Sequence, residues 1–565
     1  MRTRRTARGG PCGPTATRRR VALALAMAPL AAAAPWRAAA QAATAPAPPA
    51  PRAVTPAAVA SGPADGLREP SRLRRFAGEI VARLAAAADD GLDAADYGAQ
   101  RLRAALDRQA AAPGDATAAA RLDDALAAAL LRYLRDLRQG RIDPRALHQA
   151  YTGTAAVAFD AVAATERALA AGSLAGALRE ALPPVPMYGA LRAALARCRE
   201  LRDHPGWQQG LPPLPKASRR GAPAKLEPGQ PWAGVPLLAQ RLAAWGDLAA
   251  PPAAQPEAAP VAYDGPLVDA LRAFQRRHGL LDDGVLGRAT LAELEVAPAQ
   301  RARQIELTME RLRWTPLMQA PRMIVVNLPE FVLRAYEVQP DGRVTVRAQM
   351  KVIVGRALDT RTPQFDETLR FVEFSPYWNV PPSIARKELV PRLRRDPGHF
   401  AREGFEFVDG AGQVSTALSA ARLDAVMAGA LRIRQRPGPR NALGDIKFVF
   451  PNRDNIYLHH TPATALFERD RRDFSHGCIR VEKPVELARF VLQDEPGWSE
   501  ARIREAMASG TSSTLRLAQP LRVLITYATA LVLGGRLHFA ADLYGHDRLL
   551  DAALQQRRRP VLPAP

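Results

Sequence analysis

DIKFVFPNRDNIYLHH (residues 445–460) and, fourteen residues later, Ser475-His476-Gly477-Cys478-Ile479-Arg480 are the decisive stretch of this chain. The first part reads as sheet and ends on Tyr457, Leu458, His459 and His460. A thiol attacks a carbonyl as thiolate, yet a free thiol has a pKa of about 8.5. It therefore needs a base or an electropositive setting beside it. A histidine that closes one strand and a cysteine that opens the next element are expected to meet at the sheet edge. The excursion between them, which includes ERDRRDF, leaves room for that return. Gly477 permits a tight turn beside Cys478, where backbone N–H groups can face a tetrahedral oxyanion. Arg480 is placed to meet a carboxylate through paired hydrogen bonds. Tyr457 lies two residues before His459, on the same face of a strand.

Strands are expected on both sides of this stretch. MIVVNLPEFVLRAYE reads as two strands around Pro329, and VTVRAQMKVIVG as another, rich in β-branched residues. LRFVEFSPYWNVPP follows and ends at the breaker Pro381-Pro382. Residues 383–440 turn charged and helical and read as an insertion capping the sheet. RVLITYATALVLGGRLHFAADLYG reads as two strands joined through Gly534-Gly535. These pieces make a mainly β unit over 301–550, followed by a tail over 551–565.

Upstream the chain is helical. Leu73, Phe76, Ile80, Val81 and Leu84 recur at three- and four-residue spacing, and DALAAALLRYLRDLRQGRID repeats the pattern and stops at Gly140. This gives a helical scaffold over 67–220 with no catalytic constellation. A Pro/Gly-rich break over 204–233 leads into a compact helical unit over 225–300. There Leu267, Leu271 and Phe274 form one stripe, Asp282-Asp283-Gly284 a turn, and Thr290 begins a short helix. The fold class is multidomain α+β.

The first 42 residues hold eight arginines and no acids, an apolar run from Val21 to Ala34, and Ala40-Gln41-Ala42 as a cleavage site. That order predicts a secretory signal peptide and a periplasmic protein, with no stable membrane insertion after its removal. Residues 43–66 are a Pro/Ala-rich linker. The 565-residue chain carries 50 prolines and a net charge of +22. About +14 would remain on the mature chain. Such charge suits nucleic acid, a membrane surface or an anionic wall polymer. It is scattered, with no aromatic-interleaved patch, so nucleic acid is not an expected partner. Only Cys12, Cys198 and Cys478 exist. Cys12 leaves with the signal, and an exported protein that keeps a cysteine in a His-rich motif points to a working thiol. Pairing of Cys198 with Cys478 in a disulfide is the plainer alternative.

FQRRHGLLDDGVLGRATLAEL resembles the peptidoglycan-binding domain of bacterial wall enzymes. His459, the gap and Ser475-His476-Gly477-Cys478-Ile479-Arg480 resemble the L,D-transpeptidase catalytic domain, the YkuD family. With the helical scaffold, the order of parts is similar to the large Gram-negative members. The resemblance implies Cys478 as nucleophile and His459 as general base. It implies an oxyanion hole around Gly477 and Cys478, supporting roles for Ser475 and His476, and substrate contacts from Arg480 and Tyr457. It also implies peptidoglycan stem peptides as partners, a tetrapeptide donor and a diaminopimelate acceptor, with acylation by carbapenems and no cofactor. The natural acceptor and any partner synthase stay open. His460 departs from the small or acidic residue usual there. Zinc ligation by His459, His460, His476 and Cys478 is the rival reading, weakened because adjacent strand histidines project oppositely. A non-catalytic wall-binding protein and an L,D-carboxypeptidase are the others.

Overall fold

Alternation along β1 (Arg322–Asn327) shows how the protein is layered. Ile324 and Val326 enter one core, while Met323 and Val325 enter another on the opposite face. The computed structural model describes residues 67–152, 159–216, 223–249 and 261–556. The signal peptide and linker expected over 1–66, and most of the tail, lie outside them. Among the described residues no helix is long and apolar enough to cross a membrane.

The main sheet has nine strands. After β1 come β2 (Val332–Val338), β3 (Val344–Gly355) and β4 (Phe365–Phe374), then β5 (Trp378–Asn379), β6 (Phe405–Val408), β7 (Val414–Ser415) and β8 (Arg432–Gln435). These are followed by β9 (Ile446–Val449), β10 (Leu458–His459), β11 (Asp473–Ser475), β12 (Ile479–Val481) and β13 (Ser513–Thr526). The order is β11-β3-β12-β10-β9-β4-β13-β1-β2, and β2 also pairs with β3, so the sheet closes on itself. Its main core joins Phe448, Leu458, Ile479 and Val481 to Leu487 and Ile503 from the helices Pro484–Val491 and Glu500–Ala508. Leu458 and Ile479 are register partners with no exposed surface. Truncating either to alanine should cost about 2–5 kcal/mol.

β10 and β12 lie inside the sheet, flanked by β9 and β3, and not at its edge as the sequence suggested. A parallel pair needs a crossover, and residues 460–478 supply it. The last segment differs too. β13 enters the main sheet, and β14 (Ala530–Leu533) and β15 (Arg536–Phe539) form a separate hairpin, so there are three strands in place of two. Gly534 and Gly535, at φ 56° and 74°, make its two-residue turn.

The insertion is helical only in part. β5, β8, β6 and β7 form a small sheet, packed with helices Val390–Arg395 and Ala420–Ala428 around Leu393, Phe400, Phe407 and Ile433. Short strands such as FEFV are too brief to stand out against a charged helical background. Buried Asn441 ties the two roots of this cap together, donating to the carbonyls of Pro376 at 3.0 Å and Arg436 at 2.9 Å.

In the N-terminal region α1 (Ala77–Ala85), α2 (Ala99–Ala111), α3 (Ala116–Gln139), α4 (Ala161–Ala170) and α5 (Ala175–Ala181) share one core. Asp115 caps α3 by accepting from the Ala118 N–H at 2.9 Å, and Gly140 ends it at φ 75°. Next come α6 (Pro186–Glu200), α7 (Val235–Ala244), α8 (Pro266–Arg277), α9 (Arg288–Glu295) and α10 (Pro298–Leu312). α6 and α10 press Leu195, Cys198, Ile305 and Met309 against Met323, Val325 and Leu524. They thereby cover the second face of the sheet at its β1–β13 end.

α7, α8 and α9 enclose their own core, with Leu267, Leu271 and Phe274 buried as the stripe requires. Arg277 pairs with Asp247 and donates to the Leu537 carbonyl at 2.6 Å, which seats this unit on the β14–β15 hairpin.

Candidate active site

Cross-strand register assembles the site. On β9, β10 and β12, Phe448, Leu458 and Ile479 point into the main core, so their neighbours Lys447, His459 and Arg480 line the other face. Tyr457 joins that face, its ring 5.7 Å from His459, with the Lys447 ammonium 4.5 Å from the Tyr457 ring centre. Lys447 is held in turn by Glu373, 3.1 Å away.

His459 is buried, and its Nδ1 lies 2.5 Å from the His460 carbonyl. A carbonyl only accepts, so Nδ1 carries the proton and Nε2 keeps its lone pair. Burial first, and then the Arg480 charge, push the His459 pKa down to about 3. The imidazole is therefore neutral at pH 7 and able to accept a proton. His460 turns away and meets Asp445 at 2.7 Å.

Cys478 is partly exposed, and its sulfur is 3.6 Å from the Asn455 carbonyl. Burial of the sulfur raises its pKa. The Tyr457 hydroxyl and N–H act against that as hydrogen-bond donors, as do the charges of Lys447 and Arg480. The Asn455 carbonyl can only receive the S–H, whereas the Tyr457 donors favour the thiolate. Two residues the sequence reading passed over thus bear on the thiol. Lys447 was legible from strand alternation. Asn455, held at φ 53°, was recognisable only as a turn-former in RDN.

The turn before the cysteine is braced throughout. Ser475 Oγ donates to the Cys478 carbonyl at 2.5 Å and accepts the Gly477 N–H at 3.1 Å. Gly477 sits at φ 116°, where a side chain would be strained. Its N–H is already engaged, so of the two amides expected to face an oxyanion only that of Cys478 lacks a partner among the described residues. The loop after β3 closes round the same turn. Thr362 Oγ1 donates to the Gly477 carbonyl at 2.7 Å, and Thr360 Oγ1 and the Arg356 N–H both donate to the Ser475 carbonyl.

His476 points to the cap. Its Nε2 is 2.7 Å from Glu388 Oε1 and 2.6 Å from Arg356 Nη2. Arg480 makes no ion pair among the described residues, and its buried Nε has no hydrogen-bond partner. Among the described residues no three His, Cys, Asp or Glu side chains gather as a metal-binding set. Cys198 and Cys478 are both free thiols, so the disulfide alternative is not what the fold contains. Cys198 is fully buried, which pushes its pKa up to about 12.

A neutral buried histidine, a thiol with hydrogen-bond donors and cations about it, and an arginine without an ion pair among the described residues thus lie in one region of the sheet. Residues 321–504 match the L,D-transpeptidase catalytic domain, YkuD; residues 68–195 match the Scaffold domain, and 233–294 the "Putative peptidoglycan binding domain". These matches give residues 321–504 as an L,D-transpeptidase catalytic domain of the YkuD type and residues 233–294 as a peptidoglycan-binding domain. It is 33% identical over 250 residues to a Haemophilus influenzae protein described as "Putative L,D-transpeptidase". That match covers 44% of this chain and spans about half, 49%, of the relative.

Two solved structures also align. One is Bdellovibrio bacteriovorus Bd1075, at 12% identity over 42% of this chain and 57% of that one, TM-score 0.16. The other is a fused zinc-dependent amidase/peptidase/peptidoglycan-binding protein of Clostridium acetobutylicum, at 13% identity over 54% and 100%, TM-score 0.17. Neither score supports an argument.

Proposed function

We propose that this chain is a periplasmic enzyme that joins peptidoglycan stem peptides by 3→3 cross-links through a Cys478 thioester. Cys478 Sγ attacks the carbonyl of the bond between diaminopimelate and D-alanine in a tetrapeptide stem. His459 Nε2 takes the thiol proton and returns it to the departing D-alanine amine, leaving the acyl group on sulfur. The side-chain amine of a second diaminopimelate then attacks the thioester. His459 accepts the proton that amine loses and passes it to the sulfur as the C–S bond breaks. Negative charge on the tetrahedral oxygen is met by the Cys478 N–H. Tyr457 and Lys447 favour the thiolate, and Arg480 receives a substrate carboxylate.

The observation that carries this reading is His459, its Nδ1 fixed by the His460 carbonyl, on the face shared by Tyr457 and Arg480. Charging the buried imidazole is costly on its own, and the thiolate formed in the same step offsets part of that cost. The reading is tested by incubating the purified protein with tetrapeptide muropeptides and resolving the products. A 3→3 dimer with released D-alanine is expected. Tripeptide without dimer would make the chain an L,D-carboxypeptidase, and no product at all would end the enzymatic reading.

A further inference from the structure

The cap reaches the catalytic motif through one side chain, Glu388, on a π-helical turn over Ala385–Leu389. Such turns recur at functional positions. Glu388 Oε1 and Arg356 Nη2 approach the same atom, His476 Nε2, at 2.7 and 2.6 Å, and lie 3.9 Å from each other. One nitrogen cannot serve both. Protonated, Nε2 donates to Glu388 and confronts an arginine N–H; unprotonated, it accepts from Arg356 and confronts a carboxylate. One of the two contacts is therefore unsatisfied in either state of the neutral ring.

The three side chains are also open to solvent, 42% exposed for Arg356, 51% for Glu388 and 29% for His476. Beyond them stands Arg480, with no carboxylate of its own, close enough to Arg356 for their charges to interact. The surroundings of Cys478 are thus rich in guanidinium groups, and the carboxylate facing Arg356 and His476 comes from the cap.

We infer that Arg356 and His476 form a second carboxylate subsite beside Cys478, and that Glu388 is its intramolecular occupant, exchanged for a carboxylate of the peptide. This rests on the proposed reaction, whose acidic stem peptides carry more than one carboxylate. Arg480 receives one of them and the Arg356–His476 pair another. Occupation of the subsite by peptide releases the Glu388 contact, so substrate entry and the cap's hold on the motif are mutually exclusive.

The test reads the site without turnover. Cys478 is alkylated with iodoacetate, an anion, and with iodoacetamide, its neutral counterpart, and the adduct is mapped by mass to the peptide carrying Cys478. The ratio of the two rates cancels changes in thiolate fraction. Glu388→Gln should raise the iodoacetate-to-iodoacetamide ratio about threefold to tenfold, and Arg356→Gln should lower it by a similar factor, the size of one screened charge contact. With the tetrapeptide donor, Glu388→Gln should lower KM more than it changes kcat. Ratios within about twofold of the parent in both variants, the scatter of a contact worth nothing, would overturn the subsite even in an active enzyme. Shifted ratios in a chain with no cross-linking activity would keep the subsite and remove the reaction.

Discussion

His459 and Arg480 are register partners on the parallel strands β10 and β12, which sets an unpaired guanidinium beside the proposed base. Like charges disfavour each other, so Arg480 helps keep the imidazole neutral. The same guanidinium helps the Cys478 thiolate. One arginine therefore keeps the imidazole neutral and favours the thiolate, while it opposes the imidazolium that transfer of the thiol proton to His459 would form.

Cys478→Ala should abolish product formation with the fold intact, and Cys478→Ser should come close to it, because a hydroxyl is far harder to deprotonate. A carbapenem should add its mass to the Cys478 peptide and not to that of Cys198, which is fully buried. Wild-type cross-linking by the alanine variant, or an adduct on Cys198, would refute the assignment.

The adjacent histidines should separate cleanly. His459→Ala should lose about 10²–10⁴-fold in turnover, the usual share of general-base assistance. His460→Ala, which removes only the contact to Asp445, should lose far less. Steady-state rates with one donor substrate decide it, and the reverse order would shift the base by one residue. Activity should also survive exhaustive chelation, which separates this chemistry from the zinc reading.

Stability should depend on pH through His459. Its folded pKa lies near 3 against 6.5 for an exposed imidazole, so the unfolded chain binds more protons between those values. Its contribution is therefore complete above about pH 6.5 and is lost as pH falls towards 3. Urea unfolding at pH 7 and pH 4.5 should show a smaller acid loss for His459→Gln than for the parent chain. Equal losses would mean that other groups dominate.

Gly355 should tolerate no side chain. An added Cβ would overlap the Thr360 carbonyl and come within 2.8 Å of the Thr362 nitrogen, in the loop that braces Gly477. Gly355→Ala should lower stability by about 1–3 kcal/mol or more and reduce turnover as well, seen as a lower Tm and a lower kcat. A variant with both unchanged would show that the loop does not govern the turn.

The peptidoglycan-binding unit should fold alone only with its preceding segment. Arg241 is buried and donates to the carbonyls of Gly206 at 2.7 Å and Gln209 at 2.8 Å, and the Trp232 indole donates to Pro213 at 3.1 Å. A fragment over 204–300 should melt higher than one over 225–300, which leaves that guanidinium without two acceptors, and should sediment with wall sacculi. A well-folded fragment that stays in the supernatant would reduce the unit to a spacer.

Local order was legible in the sequence because it depends on neighbours along the chain. The stripe of Leu267, Leu271 and Phe274, the stop at Gly140 and the strand alternation that separates His459 from His460 follow from periodicities of 3.6 and 2. The Ser475–Arg480 motif likewise carried its chemistry in residue types alone. Tertiary structure decided what lies across the sheet. It put β12 beside β10, so that Arg480 faces His459 from twenty-one residues away. It brought Glu388 and Arg356 to one nitrogen of His476, and it committed the Gly477 amide to Ser475. No periodicity encodes such meetings. They depend on register between segments that are distant in the chain, and register is set only when both faces of the sheet are packed.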